Sequence, residues 1–148
     1  MNKQYEVKNP TEFKIVIDDI LDWYLNSNLS ALIICLQGDL GVGKTTFTQE
    51  LAKRLGVVDI VTSPTFTIMK QYEIEDKNFD LLVHIDAYRI DGEEELLPLH
   101  LEPLFNRPKT VVCIEWPEKM ASIIPSVAVN IALSIEEEDS RRVVVSTN

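Results

Sequence analysis

The chain has 148 residues, enough for one domain of ordinary size that buries a real core without staples. Hydrophobic residues make up 45% and charged ones 26%, a mix that excludes wholesale disorder. Lys and Arg total 14 against 24 for Asp and Glu, and the resulting net charge of -10 excludes the basic footprint of an autonomous tRNA or DNA binder. The two cysteines, Cys35 and Cys113, each sit inside an apolar run. That placement reads as buried thiols in a reducing compartment, neither a disulfide framework nor a metal cluster. No segment approaches the roughly 18 apolar residues of a membrane span. The start, Met1 to Glu6, has no apolar stretch of the secretory kind, so a cytoplasmic protein without a membrane role is expected.

In chain order, Asn9-Pro10-Thr11 is a turn-and-cap signal, and Phe13, Ile17, Ile20, Leu21 and Tyr24 follow at helical spacing. Ala31 to Leu36 is a continuous apolar run, too short for a typical helix and suited to a strand covered on both faces. A second helix is expected from Lys44 to Leu55, with Gly56 as its C-cap. Phe66 to Tyr72 alternates loosely, and Leu81 to Ile85 is another buried strand. Glu93 to Phe105 looks helical, but Pro98 must break or kink it, because proline lacks the amide and clashes with the preceding turn. Thr110 to Ile114 is a third buried strand. Val127–Ile135 and Arg142–Ser146 flank an acidic turn, Glu136 to Ser140, and read as an antiparallel hairpin that closes the sheet. No linker or repeat divides the chain. The expected architecture is one α/β domain over residues 1–148, a three-layer sandwich of the P-loop NTPase kind, with a mostly parallel central sheet.

Gly38-Asp39-Leu40-Gly41-Val42-Gly43-Lys44-Thr45 matches the P-loop pattern G-x-x-x-x-G-K-[ST] in full and holds three of the five glycines in the chain. Backbone amides that turn inward around an anion need conformations that a Cβ obstructs, which explains the concentration of glycine. Lys44 can reach the β- and γ-phosphates, the Thr45 hydroxyl can bind Mg²⁺, and the next helix offers its positive N-terminal end. The pattern follows a predicted strand and opens a predicted helix, as that mechanism requires. A chance glycine-rich turn is the poorer explanation.

Such a site needs an acidic residue at the end of a neighbouring strand to organise the metal. Asp86 and Glu115 both qualify, and in a parallel sheet both emerge at the carboxyl edge. His84 reads as a satisfied core histidine, and Trp116 as packing or as a pocket wall. Thr62 to Thr67 is crowded with hydroxyls. It is either a plain connector or a switch that senses the γ-phosphate, and chemistry alone leaves the two readings open.

These motifs, in this order, resemble the bacterial TsaE (YjeE) ATPases of tRNA threonylcarbamoyladenosine synthesis. The resemblance is carried by Gly38 to Phe47, Ser63-Pro64-Thr65-Phe66-Thr67, His84-Ile85-Asp86-Ala87-Tyr88-Arg89 and Ile114-Glu115-Trp116-Pro117-Glu118. It implies ATP held by the P-loop, with Gly38, Asp39, Gly41, Val42, Gly43, Lys44, Thr45 and Thr46 around its phosphates. It implies Thr45 and Glu115 as the Mg²⁺-organising pair and Asp86 as the residue that positions or activates water. Ser63, Pro64 and Thr65 then form the switch, with Trp116 on the site wall or partner surface. By position, Thr11 or Glu12 and Arg141 would enclose the adenine. The family works with TsaD and TsaB, the pair that transfers the threonylcarbamoyl group to tRNA, so tRNA would be met only through those partners. Two departures stand out: the family commonly carries glycine near the position of His100, and Pro98 is foreign to that segment.

Two other classes compete. A small-molecule P-loop kinase needs an acceptor pocket and an arginine-bearing lid, for which Arg89, Arg141 and Arg142 offer little. A non-catalytic nucleotide-dependent module needs no Asp86 or Glu115. A GTPase is disfavoured, since no N-K-x-D motif follows the P-loop.

Overall fold

A computed structural model describes residues 1–64 and 67–148, apart from the side chain of Glu138. Seven strands form one sheet: β1 (Asn2–Val7), β2 (Leu32–Gln37), β3 (Met69–Glu73), β4 (Leu81–Asp86), β5 (Thr110–Glu115), β6 (Val129–Ile135) and β7 (Arg141–Ser146). Their order is β1-β7-β6-β2-β5-β4-β3. The inner four strands, β6, β2, β5 and β4, pair parallel, and β3, β7 and β1 add antiparallel edges. The parallel strands therefore end on one edge of the sheet, where β2 runs directly into Gly38.

Strand alternation sorts the core into two layers. Leu32, Ile34 and Leu36 of β2 face one side, with Val111 and Cys113 of β5. Helices α1 (Phe13–Leu25) and α2 (Lys44–Leu55) cover that side through Phe13, Ile17, Ile20, Phe47 and Leu51. The rings of Phe13 and Phe47 meet edge to face, 5.4 Å apart, and fasten α1 to α2. Ile33, Cys35, Val112 and Ile114 face the other side. There the cover is thinner: two 3-10 segments, Glu93–Leu99 and Pro117–Ile123, and the short helix α3 (Leu101–Phe105) supply Leu96, Leu101, Phe105 and Met120. Both cysteines are free and buried, and burial pushes the Cys35 thiol up to about 12.

Helix α2 has the boundaries read from the sequence, and Gly56 caps it at φ 85°, ψ 24°, a conformation that suits glycine. The segment after Asp91 is interrupted, but the break falls at His100 rather than at Pro98. His100 takes φ 51°, ψ 57° between the 3-10 segment and α3, so a residue with a Cβ occupies the left-handed region that glycine enters freely. β1 is a strand the sequence reading lacks. No helix among the described residues is long and apolar enough to cross a membrane.

Candidate nucleotide site

The turn from β2 to α2 crosses the carboxyl edge of the sheet with Gly38, Gly41 and Gly43 at φ 150°, 79° and 118°. A Cβ on Gly38 would stand 2.7 Å from both the Leu133 carbonyl oxygen and a Val42 methyl, so that position admits only glycine. Val42 is buried inside the turn, and its N–H donates to the Asp39 carbonyl at 3.1 Å. Lys44 folds back so that its ammonium donates to the Gly38 carbonyl, with the Asp39 carbonyl at 3.4 Å. The Trp116 ring lies over the same ammonium, 3.6 Å from Nζ to the ring centre. Burial lowers the pKa of Lys44 from the ordinary lysine range, and Glu115, Glu118, Asp86 and Asp39 oppose that shift.

α2 packs across β5 so that one helical turn matches one strand repeat. Thr45 Oγ1 sits 3.0 Å from both carboxylate oxygens of Glu115. Three residues on, Thr48 Oγ1 lies 3.3 Å from Cys113 Sγ, two residues back along the strand. Glu115 is 3% exposed and also receives His84 Nε2 at 2.6 Å from β4. His84 is fully buried, as a core histidine should be. It is not a satisfied one, since Nδ1 has no hydrogen-bond partner among the described residues.

Asp86 is the register partner of Glu115 on the neighbouring strand. Its carboxylate accepts from Ser63 Oγ at 2.9 Å and from the Tyr88 N–H at 3.0 Å. Trp116 follows Glu115 at φ 59°, ψ 51°, which turns its ring back over the site and against Tyr88, 5.0 Å between ring centres. For a tryptophan that conformation costs about 1–2 kcal/mol.

A cavity of about 340 Å³ opens here, lined by Gly41, Gly43, Lys44, Thr45, Thr46, Ser63, Asp86, Glu115 and Trp116 among others. A second, of about 170 Å³, shares Gly43 and Thr46 with it and runs under Asn9, Pro10, Phe13 and Arg141. Arg141 Nε donates to the Val42 carbonyl at 2.7 Å, which ties β7 to the loop. Thr11 and Glu12 line neither cavity. Their 3-10 turn engages them locally, with Glu12 accepting from the Lys8 N–H at 2.9 Å and Thr11 donating to Asn9. Asn9, Pro10 and Phe13, read from the sequence as a turn and a helix start and not as site residues, stand there instead. Pro64 is buried and its carbonyl accepts from the Ile68 N–H at 2.9 Å, while Thr65 of the expected switch lies outside the described residues.

Compared with known proteins, residues 8–143 match the family model for the threonylcarbamoyl adenosine biosynthesis protein TsaE. This chain belongs to the TsaE family. It is 37% identical over 111 residues to the tRNA threonylcarbamoyladenosine biosynthesis protein TsaE of Bacillus subtilis, covering 75% of this chain and 66% of that protein. The Treponema pallidum TsaE is 35% identical over 115 residues, covering 77% and 81%. The matched stretch thus spans just under two thirds of the Bacillus relative. The crystal structure of YdiB from Bacillus subtilis superposes with a TM-score of 0.76 at 27% identity, over 99% of this chain and 86% of that one. The fold is therefore shared with YdiB.

Proposed function

We propose that this chain binds ATP with Mg²⁺ at the β2–α2 turn and hydrolyses it in tRNA threonylcarbamoyladenosine biosynthesis, as a partner-dependent cytoplasmic ATPase acting on a TsaD–TsaB pair. The observation that carries the reading is Thr45 Oγ1 within 3.0 Å of the Glu115 carboxylate at the mouth of a turn built from three positive-φ glycines. The donor set suits Mg²⁺, a hard cation that takes oxygen ligands, keeps several waters and uses few protein groups. Thr45 and Glu115 would hold it, and when bound it neutralises charge on the β- and γ-oxygens.

The chain's own groups supply the rest. Amides from residues 41–46 and the N-terminal end of α2 surround the phosphates. The Lys44 ammonium, held in place by backbone carbonyls and the Trp116 face, exchanges those partners for phosphate oxygens. Asp86, oriented by Ser63 and the Tyr88 amide, keeps free lone pairs to accept a hydrogen bond from water. That water adds to the γ-phosphorus as the bond to the β,γ-bridging oxygen breaks, giving ADP and inorganic phosphate. The smaller cavity beside Phe13 and Arg141 is the place for the adenine. The net charge of -10 fits a protein that leaves tRNA contact to its partners.

Phosphate release from ATP, measured with and without TsaD–TsaB, tests the reading. Release that rises with the partners supports it. Transfer of the phosphoryl group to a metabolite would make the protein a kinase, and no turnover under either condition would make it a passive module.

A further inference from the structure

The sequence gives His84 no task beyond the core, yet its ring spans the gap between β4 and the buried carboxylate of Glu115. His84 Nε2 and Glu115 Oε2 stand 2.6 Å apart, and the Nε2–H tautomer is the one that lets the ring donate to a metal-organising carboxylate. The opposite ring nitrogen has no partner among the described residues. Simple packing favours an apolar residue at such a position, because a polar atom buried without a partner costs about 1–3 kcal/mol. Ile85 and Val83, its neighbours on β4, show that this strand accommodates aliphatic side chains in full burial.

The environment of Glu115 explains what the ring does. Among the described residues two side chains hold the carboxylate: Thr45 from α2, whose single hydroxyl proton is shared between both oxygens, and His84, which reaches Oε2 alone. Thr45 is also the hydroxyl assigned above to the metal, so its hydrogen bond is the one that changes partners on loading. Among the described residues His84 has no competing partner, and it sits in a strand paired on both sides, with Lys70 of β3 and Cys113 of β5. It can therefore keep Oε2 fixed while the Thr45 hydroxyl turns away.

We propose that His84 is a positioning residue for the metal-organising carboxylate, holding Glu115 in one rotamer through Nε2–H. The inference rests on the nucleotide reading of the site. Groups that orient a ligating side chain are worth about 10–100-fold in metal affinity or activity.

Three forms of the full chain test it: wild type, His84→Leu, which removes the donor, and His84→Gln, whose amide N–H reaches the same place. Calorimetry reads ATP affinity with and without Mg²⁺, and phosphate release gives kcat and KM. His84→Leu is expected to bind metal-free ATP as wild type does, to lose about tenfold of the affinity that Mg²⁺ adds with KM for the Mg²⁺ complex rising in step, and to drop kcat about 10–100-fold. His84→Gln should recover most of both. ¹⁵N spectra of the free wild-type protein supply a readout independent of folding in the variants. With two histidines in the chain, His100→Asn identifies the other signal, and the His84 ring should carry its proton on Nε2. A folded His84→Leu with unchanged Mg²⁺ dependence, a His84→Gln as impaired as His84→Leu, or a ring unprotonated at Nε2 would overturn the positioning role alone. Wild-type protein that binds no ATP would overturn the nucleotide reading and this role with it.

Discussion

Glu115 and Asp86 end adjacent parallel strands as register partners, yet they are supported in different ways. Glu115 is buried, and its partners Thr45 and His84 come from α2 and β4, elements fixed by the core. Asp86 is half-buried, and its partners come from connections: Ser63 from the segment after α2 and the Tyr88 amide from the turn after β4. The same contrast separates Lys44, 4% exposed, from the rim residue Tyr88, 46% exposed. The lesson is that register alone does not decide what a carboxylate at a sheet edge can do. Support from rigid elements suits a group that must already be in place, whereas support from loops suits one that adjusts as the γ-phosphate comes and goes.

The sharpest way to break this contrast is Lys44→Ala. In the proposed site its ammonium is the cation that meets two phosphates, and charge-assisted hydrogen bonds are worth about 1.5–3 kcal/mol each. ATP affinity by calorimetry at fixed salt should fall about 10²–10⁴-fold, and unchanged affinity would remove the inner wall from the site. Next, Asp86→Asn should keep ATP bound within a few-fold while hydrolysis slows about 10²–10⁴-fold, the range for water activation by a positioned base. Glu115→Gln should instead also blunt the Mg²⁺ dependence of binding. If titrations with and without Mg²⁺ give the reverse pattern, the two carboxylates have exchanged roles.

Much of the inner wall was legible because its signals are local. The β2 run, the spacing of Gly38, Gly41 and Gly43, and the Lys44–Leu55 helix with its Gly56 cap lie in one stretch of sequence whose chemistry admits few alternatives. What depends on register was not legible. His84 looks like any core histidine until β4 and β5 are laid side by side and Glu115 falls within reach, 31 residues away. β1 escaped because Asn2 to Glu6 is polar and mostly exposed, and its hydrogen bonds to β7 come from the far end of the chain. Thr11 and Glu12 were chosen by position, but a 3-10 turn rather than the first turn of α1 directs their side chains, and Asn9, Pro10 and Phe13 reach the smaller cavity. The break was expected at Pro98, although the glycine that the resemblance expects near His100 already pointed to the left-handed backbone found there.

Smaller effects sharpen the comparison at the rim. Ser63→Ala removes one of the two donors that Asp86 has among the described residues, so turnover should fall about tenfold, the worth of one charge-assisted hydrogen bond. ADP affinity should remain within a few-fold, and the difference in TsaD–TsaB binding between a slowly hydrolysed ATP analogue and ADP should narrow. An unaltered difference would make this segment a connector. The smallest effect is expected at Arg141→Ala, which cuts the tie from β7 to the Val42 carbonyl. Nucleotide affinity should weaken by roughly fivefold, equivalent to about 1 kcal/mol for one hydrogen bond, with kcat unchanged. A loss of kcat there would mean that the hairpin sets the phosphate geometry as well.

The most direct measurement is a crystal structure of the chain with a slowly hydrolysed ATP analogue and Mg²⁺. The account predicts the triphosphate enclosed by the amides of residues 41–46, with Lys44 Nζ moved from the Gly38 carbonyl to phosphate oxygen. The metal should lie beside Thr45 and Glu115, with His84 still bonded to Glu115 and the base between Phe13 and Arg141. A nucleotide bound away from this turn, or Lys44 still bonded to Gly38 beneath a bound triphosphate, would contradict it.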